Sequence, residues 1–101
     1  MIPLIEQHRE QIAVLCRKYG VRKLELFGSA ARGDFEAARS DIDFLFEFNS
    51  DPTKLADRFF GFSEDLERLL GQRVDLVSSP DVRNPYFLQV VNQQRVTLYA
   101  A

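Results

Sequence analysis

The sequence has little cysteine, no long apolar run and no excess of basic residues. Cys16 is the single cysteine among 101 residues, which excludes a disulfide framework and a zinc site built from cysteines. No apolar stretch reaches the roughly 18 residues that a membrane-spanning helix needs. With 13 Lys and Arg against 15 Asp and Glu, the net charge of -2 argues against a general nucleic-acid-binding surface. We therefore expect a soluble, cytoplasmic protein without membrane contact, folded as one domain over residues 1–101.

The spacing of apolar residues predicts alternating helices and strands. Helices are predicted at 4–19, 30–32 and 53–70, and in a short segment over 84–91. Strands are predicted at 23–27, 41–48, 74–77 and 95–100. This order indicates an α/β or α+β domain around a small sheet. The helix 53–70 is long enough to connect strands 41–48 and 74–77 as parallel neighbours.

Three aspartates are expected at one edge of this sheet. Asp41 and Asp43 lie two positions apart in a strand, so both should face away from its apolar side. If the two strands are parallel neighbours, Asp75 joins them. Three carboxylates suit Mg²⁺ or Mn²⁺, and a pair of such ions suits phosphoryl or nucleotidyl transfer. The alternative is an acidic strand edge whose carboxylates are simply solvated.

Gly28-Ser29 connects the first predicted strand to a short helix. A glycine there lets the backbone approach a ligand closely, and we expect Ser29 to be the N-cap of the helix. The helix start and the serine hydroxyl would form an anion site, and Arg32 and Arg39 could neutralise phosphate charge. The alternative is an ordinary turn with a serine cap and two solvated arginines.

The stretch LFGSAARGDFEAARSDIDFLFEF resembles the active-site signature of the polymerase-beta-like nucleotidyltransferase superfamily, in which Gly-Ser precedes Asp-x-Asp. Asp75 in RVDLV matches the third carboxylate of that signature. The fuller string is most similar to the minimal nucleotidyltransferases of bacteria and archaea, over residues 4–100. The resemblance implies a polymerase-beta-like nucleotidyltransferase core, with a small mixed β-sheet flanked by helices.

The same resemblance implies an enzyme that transfers a nucleotide, most often AMP from ATP, to an acceptor. The implied catalytic residues are Asp41, Asp43 and Asp75. The same three residues would bind two Mg²⁺ ions, for which Mn²⁺ could substitute. The implied nucleotide-binding residues are Gly28 and Ser29 at the phosphates, with Arg32 in support.

The acceptor is expected to come from a second protein, because the predicted elements use up the chain and leave no acceptor domain. In the resembled family the companion is often a HEPN-domain toxin, a ribonuclease that receives AMP on a tyrosine from its antitoxin. Two alternatives stay open. The chain could be a non-catalytic antitoxin that neutralises the toxin by stoichiometric binding, or it could transfer a nucleotide to a small molecule.

Three further residues have structural explanations. We expect His8 to be partly buried beside the first helical stripe and Cys16 to lie in the core. Phe59, Phe60 and Phe62 cannot all face inward from one helix, so Phe60 should be exposed. An exposed Phe60 fits both a partner surface and ordinary partial exposure.

Overall fold

The computed structural model describes residues 1–36, 40–79 and 95–101, with Pro85 and Gln89 between the last two ranges. The helices are α1 (Pro3–Gln7), α2 (Arg9–Tyr19), α3 (Ser29–Arg32) and α4 (Leu55–Leu70). The strands are β1 (Val21–Phe27), β2 (Ile42–Phe48), β3 (Val74–Ser78) and β4 (Val96–Ala100). Apart from Pro85 and Gln89, the predicted helix at 84–91 lies outside the described ranges, and so does Arg39.

The strands form one mixed sheet in the order β3-β2-β1-β4. β1 runs antiparallel to both β2 and β4, whereas β2 and β3 are parallel, as the length of the intervening helix predicts. The predicted fold class, a small mixed sheet flanked by helices, is therefore confirmed. In the described ranges, every helix is too short or too polar to cross a membrane.

The core lies between one face of the sheet and the helices α2 and α4. Ile42 and Phe44 of β2 are fully buried there, as the alternation of this strand predicts, and Phe46 is nearly so. The α4 side chains Phe62 and Leu66 pack into the same cluster. Because this face of β2 is occupied by the core, Asp43 is left on the other face.

The predicted helix 4–19 is wrong as a single element, because it breaks at His8. His8 has φ −109° and ψ 14°, outside the helical range, and its Nδ1 donates a hydrogen bond to the Leu4 carbonyl at 2.8 Å. This local bond accompanies the end of α1 at Gln7, and α2 starts at Arg9. His8 is half-buried and Cys16 is fully buried, as expected.

α4 begins at Leu55, two residues after the predicted start. The Asp51 carboxylate accepts hydrogen bonds from the Thr53 amide at 2.9 Å and the Thr53 hydroxyl at 2.7 Å. These bonds fold 51–53 into a turn, after which Lys54 adopts a left-handed conformation with φ 53°. The helix ends at Gly71 as predicted, and Phe60 is 62% exposed.

The strand limits differ from the predicted ones by one or two residues. β1 begins at Val21, two residues early, because Val21 pairs with Phe48 of β2. β2 begins at Ile42 rather than Asp41, so Asp41 stands just before its strand. β3 continues to Ser78, and β4 starts at Val96.

Candidate active site

Two of the predicted carboxylates occupy paired positions on the parallel strands β2 and β3. Asp43 and Asp75 are register partners, and residues opposite each other in a sheet point to the same face. Asp43 is half-buried, whereas Asp75 is exposed. The pair lies near the amino-terminal ends of both strands, on the face opposite the core.

Asp41 is held beside this pair by a contact that the sequence analysis did not predict. Its Oδ1 lies 3.1 Å from Nε of Arg73, in a salt bridge between two substantially exposed side chains. The parallel register explains the contact, because Ile42 is paired with Val74 and the residues before them are therefore neighbours. The signal was present in the sequence, since Arg73 precedes Asp75 by the same two positions that separate Asp41 from Asp43.

The Gly28-Ser29 turn packs directly against the carboxylate of Asp43. Gly28 has φ 73° and ψ −154°, a combination that only glycine adopts readily. A Cβ added to Gly28 would overlap Oδ2 of Asp43, so the missing side chain makes room for the carboxylate. The glycine thus brings the turn and the second aspartate of Asp-x-Asp into contact.

The prediction that Ser29 is the N-cap of α3 is wrong. The N-cap is Gly28, whose carbonyl accepts hydrogen bonds from the amides of Ala31 and Arg32, both at 3.1 Å, and Ser29 is the first helical residue. The physical reason is the backbone conformation at Gly28, which lets the chain enter the helix one residue earlier. No side-chain cap bond forms at this described helix start, so the Ser29 hydroxyl does not have a capping role.

The electrostatics of the site centre on Asp43. Burial, together with the negative charges of Asp75 and Asp41, raises the pKa of Asp43 to about 6, and the positive charge of Arg32 opposes this shift. Arg32 also forms a salt bridge with Asp34, with Nε 3.2 Å from Oδ1. A cation that neutralised the three carboxylates would therefore remove a repulsion that the protein now carries.

The donor set fits a hard divalent cation, with one rearrangement. Carboxylate oxygens are the ligands that Mg²⁺ and Mn²⁺ prefer, and the side chain of Asp75 is open to solvent. In their present positions, no three His, Cys, Asp or Glu side chains of the described residues are close enough to hold one ion. Oδ1 of Asp41 is engaged with Arg73, so this oxygen can bind a cation only when the salt bridge opens.

Glu25 is a buried charge that the sequence analysis also missed. It lies on β1 opposite Leu45, two register positions from the pair formed by Phe27 and Asp43. Its two carboxylate oxygens pair with Lys23 Nζ at 3.6 Å and with Arg95 Nε at 3.1 Å. The two cations neutralise Glu25, so its role is to tie the end of β4 to the centre of the sheet.

The sequence profile of the family described as nucleotidyltransferase domain matches residues 8–98. This match spans nearly the whole chain, and the carboxylates and the Gly-Ser turn described above lie inside it. The chain belongs to this nucleotidyltransferase family. The predicted family resemblance and the predicted enzyme class, a nucleotidyltransferase of the metal-dependent type, are confirmed.

Similar proteins support the same placement. Protein adenylyltransferase MntA of Thermococcus cleftensis is 35% identical over 81 residues, which cover 80% of this chain and 76% of that protein. A solved structure provisionally named a minimal nucleotidyltransferase has a TM-score of 0.75 at 30% identity, and the match covers 94% of this chain and 95% of that one.

Two solved toxin–antitoxin structures share the fold. One, a complex with AMP-PNP, has a TM-score of 0.70 at 24% identity and covers 92% of this chain and 73% of that one. The other is a tri-AMPylated Shewanella oneidensis HEPN toxin in complex with its MNT antitoxin, with a TM-score of 0.65 at 21% identity and coverage of 95% and 72%. At these identities the likeness is one of fold alone.

Proposed function

We propose that this chain transfers AMP from ATP to a tyrosine hydroxyl of a HEPN-domain toxin, and so acts as its antitoxin. The observation that carries the proposal is the pairing of Asp43 with Asp75 on parallel strands, with the Gly28-Ser29 turn packed against Asp43. The Gly-Ser turn and two carboxylates therefore lie together at one end of the sheet, which supports the binding of a nucleotide there. Nucleotidyl transfer needs mainly positioning and charge neutralisation, which such an arrangement supplies.

Each predicted residue has a role in this proposal. Gly28 and Ser29 bind the β- and γ-phosphates, and Arg32 supplies positive charge beside them. Two Mg²⁺ ions, for which Mn²⁺ can substitute, are held by Asp41, Asp43 and Asp75. When bound, such ions neutralise the triphosphate and favour ionisation of an attacking hydroxyl. The acceptor oxygen attacks the α-phosphorus, the bond to the β-phosphate breaks, and pyrophosphate leaves.

Asp75 serves the acceptor side of the reaction. Its strand, β3, is at the edge of the described sheet, and its side chain is exposed. A protein hydroxyl can therefore approach Asp75 from solvent without entering a closed cavity. Asp75 is also the carboxylate placed to accept the proton that the hydroxyl loses.

The identity of the donor and the acceptor rests on the similar proteins. The relative from Thermococcus cleftensis is named a protein adenylyltransferase, which supports AMP as the transferred group and a protein as the acceptor. The complex with AMP-PNP supports ATP as the donor, and the complex with a tri-AMPylated HEPN toxin supports that class of partner. A tyrosine is chemically suitable because its phenol is more acidic than an aliphatic hydroxyl.

The experiment is AMP transfer onto the HEPN-domain protein encoded in the same genome. Incubated with ATP and Mg²⁺, the wild-type chain should raise the partner's mass by one or more AMP units on tyrosine, measured by intact-protein and peptide mass spectrometry. Asp75→Asn should bind ATP but transfer nothing. Asp57→Asn removes an exposed carboxylate from the start of α4 and should transfer normally.

Two alternative functions give different results in the same experiment. A non-catalytic antitoxin would suppress the ribonuclease equally well as wild type and as Asp75→Asn, with no mass change in the toxin. Transfer to a small molecule would release pyrophosphate only after that molecule is added, and would leave the HEPN protein unmodified. Either result would replace the proposal.

A further inference from the structure

Arg73 directly contacts a proposed cation ligand beside the candidate site, and its positive charge opposes the binding of a cation there. Its Nε lies 3.1 Å from Oδ1 of Asp41. The backbone holds the two residues together as well, because the Ile42 amide donates a hydrogen bond to the Arg73 carbonyl at 2.9 Å. The pairing of β2 with β3 therefore keeps Asp41 and Arg73 adjacent at the start of the two strands.

The salt bridge is also easily exchanged. The Arg73 side chain is 73% exposed and that of Asp41 is 47% exposed. Ion pairs between solvated groups contribute little to stability, so either partner can leave for a stronger counter-charge. The Asp41 carboxylate would then be free to bind a cation together with Asp43 and Asp75, and the guanidinium would be free to pair with an anion such as a phosphate.

From this geometry we propose that Arg73 is a positioning residue that competes with the divalent cation for Asp41. In the metal-free protein its guanidinium occupies Oδ1 of Asp41, which lowers the affinity for a cation on its own. A nucleotide brings phosphates that can take over the guanidinium, so the metal binds more readily when the nucleotide is present. The inference rests on the proposed function for the use of this site by metal and nucleotide.

The first experiment measures Mn²⁺ binding to the full chain without nucleotide, by counting free Mn²⁺ with electron paramagnetic resonance. Arg73→Gln should bind Mn²⁺ about threefold to tenfold more tightly than wild type, the range expected when an exposed ion pair and a nearby positive charge are removed. Arg73→Lys keeps the charge and should stay close to wild type. Arg68→Gln is the matched control, because it removes an equally exposed positive charge from α4, where it pairs with Asp65.

A double-mutant comparison separates the contact from general charge. In an Asp41→Asn background the Arg73→Gln change should have a much smaller effect on Mn²⁺ affinity, since the competition it relieves is already gone. With ATP present, the factor by which nucleotide tightens Mn²⁺ binding should fall in Arg73→Gln. Thermal unfolding of each variant checks that the fold is retained, as the exposure of Arg73 predicts.

The possible results of these experiments distinguish the role of Arg73 from the proposed function. The inference is overturned if Arg73→Gln binds Mn²⁺ no more tightly than Arg68→Gln, or if neither wild type nor Arg73→Gln binds it at all. A tighter Mn²⁺ complex in Arg73→Gln supports the inference even where no AMP is transferred to any protein. In that case the proposed function fails while the role of Arg73 stands.

Discussion

At the scale of single residues, the site is organised around Asp43, which packs against Gly28 and lies near the carboxylates of Asp41 and Asp75. Its register partner is Asp75, and its Oδ2 fills the space that a side chain on Gly28 would need. Burial and repulsion raise the pKa of Asp43 to about 6, so its ionisation destabilises the folded state. The protein thus accepts a cost in stability at the position where a cation is expected to bind.

The first prediction is that Asp43→Asn stabilises the metal-free protein at neutral pH. Near pH 3 and below, which is about one unit under the ordinary aspartate pKa, both the folded and the unfolded chain keep the proton, so the substitution should change little. As pH rises towards about 6, the unfolded chain loses the proton first, and wild-type stability falls relative to Asp43→Asn; above the folded-state pKa the difference is constant. Thermal unfolding from pH 3 to pH 8 measures this, and a gain that did not vary with pH would contradict it.

The second prediction concerns the space beside Gly28. Gly28→Ala should lower the free energy of unfolding by about 2 kcal/mol or more, because it adds backbone strain and a Cβ that meets Asp43. Gly71→Ala is a control for the positive φ alone, since Gly71 has φ 65° in the left-handed helical region and no described atom within 4 Å of the added Cβ; the excess loss in Gly28→Ala then measures the ψ of −154° and the Asp43 contact together. Chemical denaturation of both variants gives the comparison. Equal losses would mean that this ψ and the Asp43 contact together carry no energy.

The third prediction concerns the hydroxyl of Ser29. Because Ser29 forms no capping bond in its own helix, Ser29→Ala should leave the melting temperature nearly unchanged. It should weaken ATP binding by about 1–2 kcal/mol, the value of one hydrogen bond to a charged group. Isothermal titration with ATP and Mg²⁺ measures the loss. An unchanged affinity would place the phosphates elsewhere.

At the scale of secondary-structure elements, the parts that could be predicted are those in which local pattern and tertiary packing agree. The apolar alternation of β2 predicted the limits of this strand to within one residue. It also predicted the buried face of the strand, because that face packs against α4. The length of α4 gave the parallel pairing and hence the meeting of Asp43 with Asp75. The break at His8 was not predictable, because it depends on one side-chain bond to a carbonyl and not on apolar spacing. The Arg73–Asp41 contact needed the strand register.

The fourth prediction concerns the contact between α2 and α4. The Tyr19 hydroxyl donates a 2.5 Å hydrogen bond to Asp65, which lowers the pKa of that carboxyl, and Gly61 leaves room for the tyrosine ring. Tyr19→Phe should cost about 1 kcal/mol of stability at pH 7. The loss should shrink as pH falls below the ordinary range of an aspartate, since protonated Asp65 is a weaker acceptor. Chemical denaturation at pH 7 and at a pH well below about 3.9, the ordinary pKa of an aspartate, tests this, with a pH-independent loss as the contrary result.

At the scale of the whole molecule, one helical layer protects one face of the sheet while the candidate site opens on the other. Cys16 lies in the protected layer, fully buried, and burial raises its pKa to about 12. Asp75 lies on the open face at an edge strand. The main core and the candidate site therefore lie on opposite faces of the sheet, and a smaller buried pair, Phe27 and Leu45, shares the face of Asp43. The exposed Asp75 can be changed without opening the main core.

The fifth prediction uses this separation. Cys16 should not react with a thiol reagent such as iodoacetamide at pH 8 in the native protein, because reaction requires an accessible thiolate. It should react fully in denaturant. If Asp75→Asn and Asp57→Asn keep the same slow labelling rate as wild type, any loss of AMP transfer in Asp75→Asn belongs to the site and not to unfolding. Rapid labelling of native wild type would contradict the buried position.

The parallel pairing of β2 with β3 has a consequence for how the chain acquires activity. Asp41 and Asp43 precede α4 in the sequence, whereas Asp75 follows it. Asp43 and Asp75 therefore become neighbours only when the connection through α4 has packed onto the sheet. A nascent chain that has emerged from the ribosome only as far as α4 contains Asp41 and Asp43 but not yet Asp75. The carboxylates of β2 and β3 therefore come together only when the third strand docks beside the second.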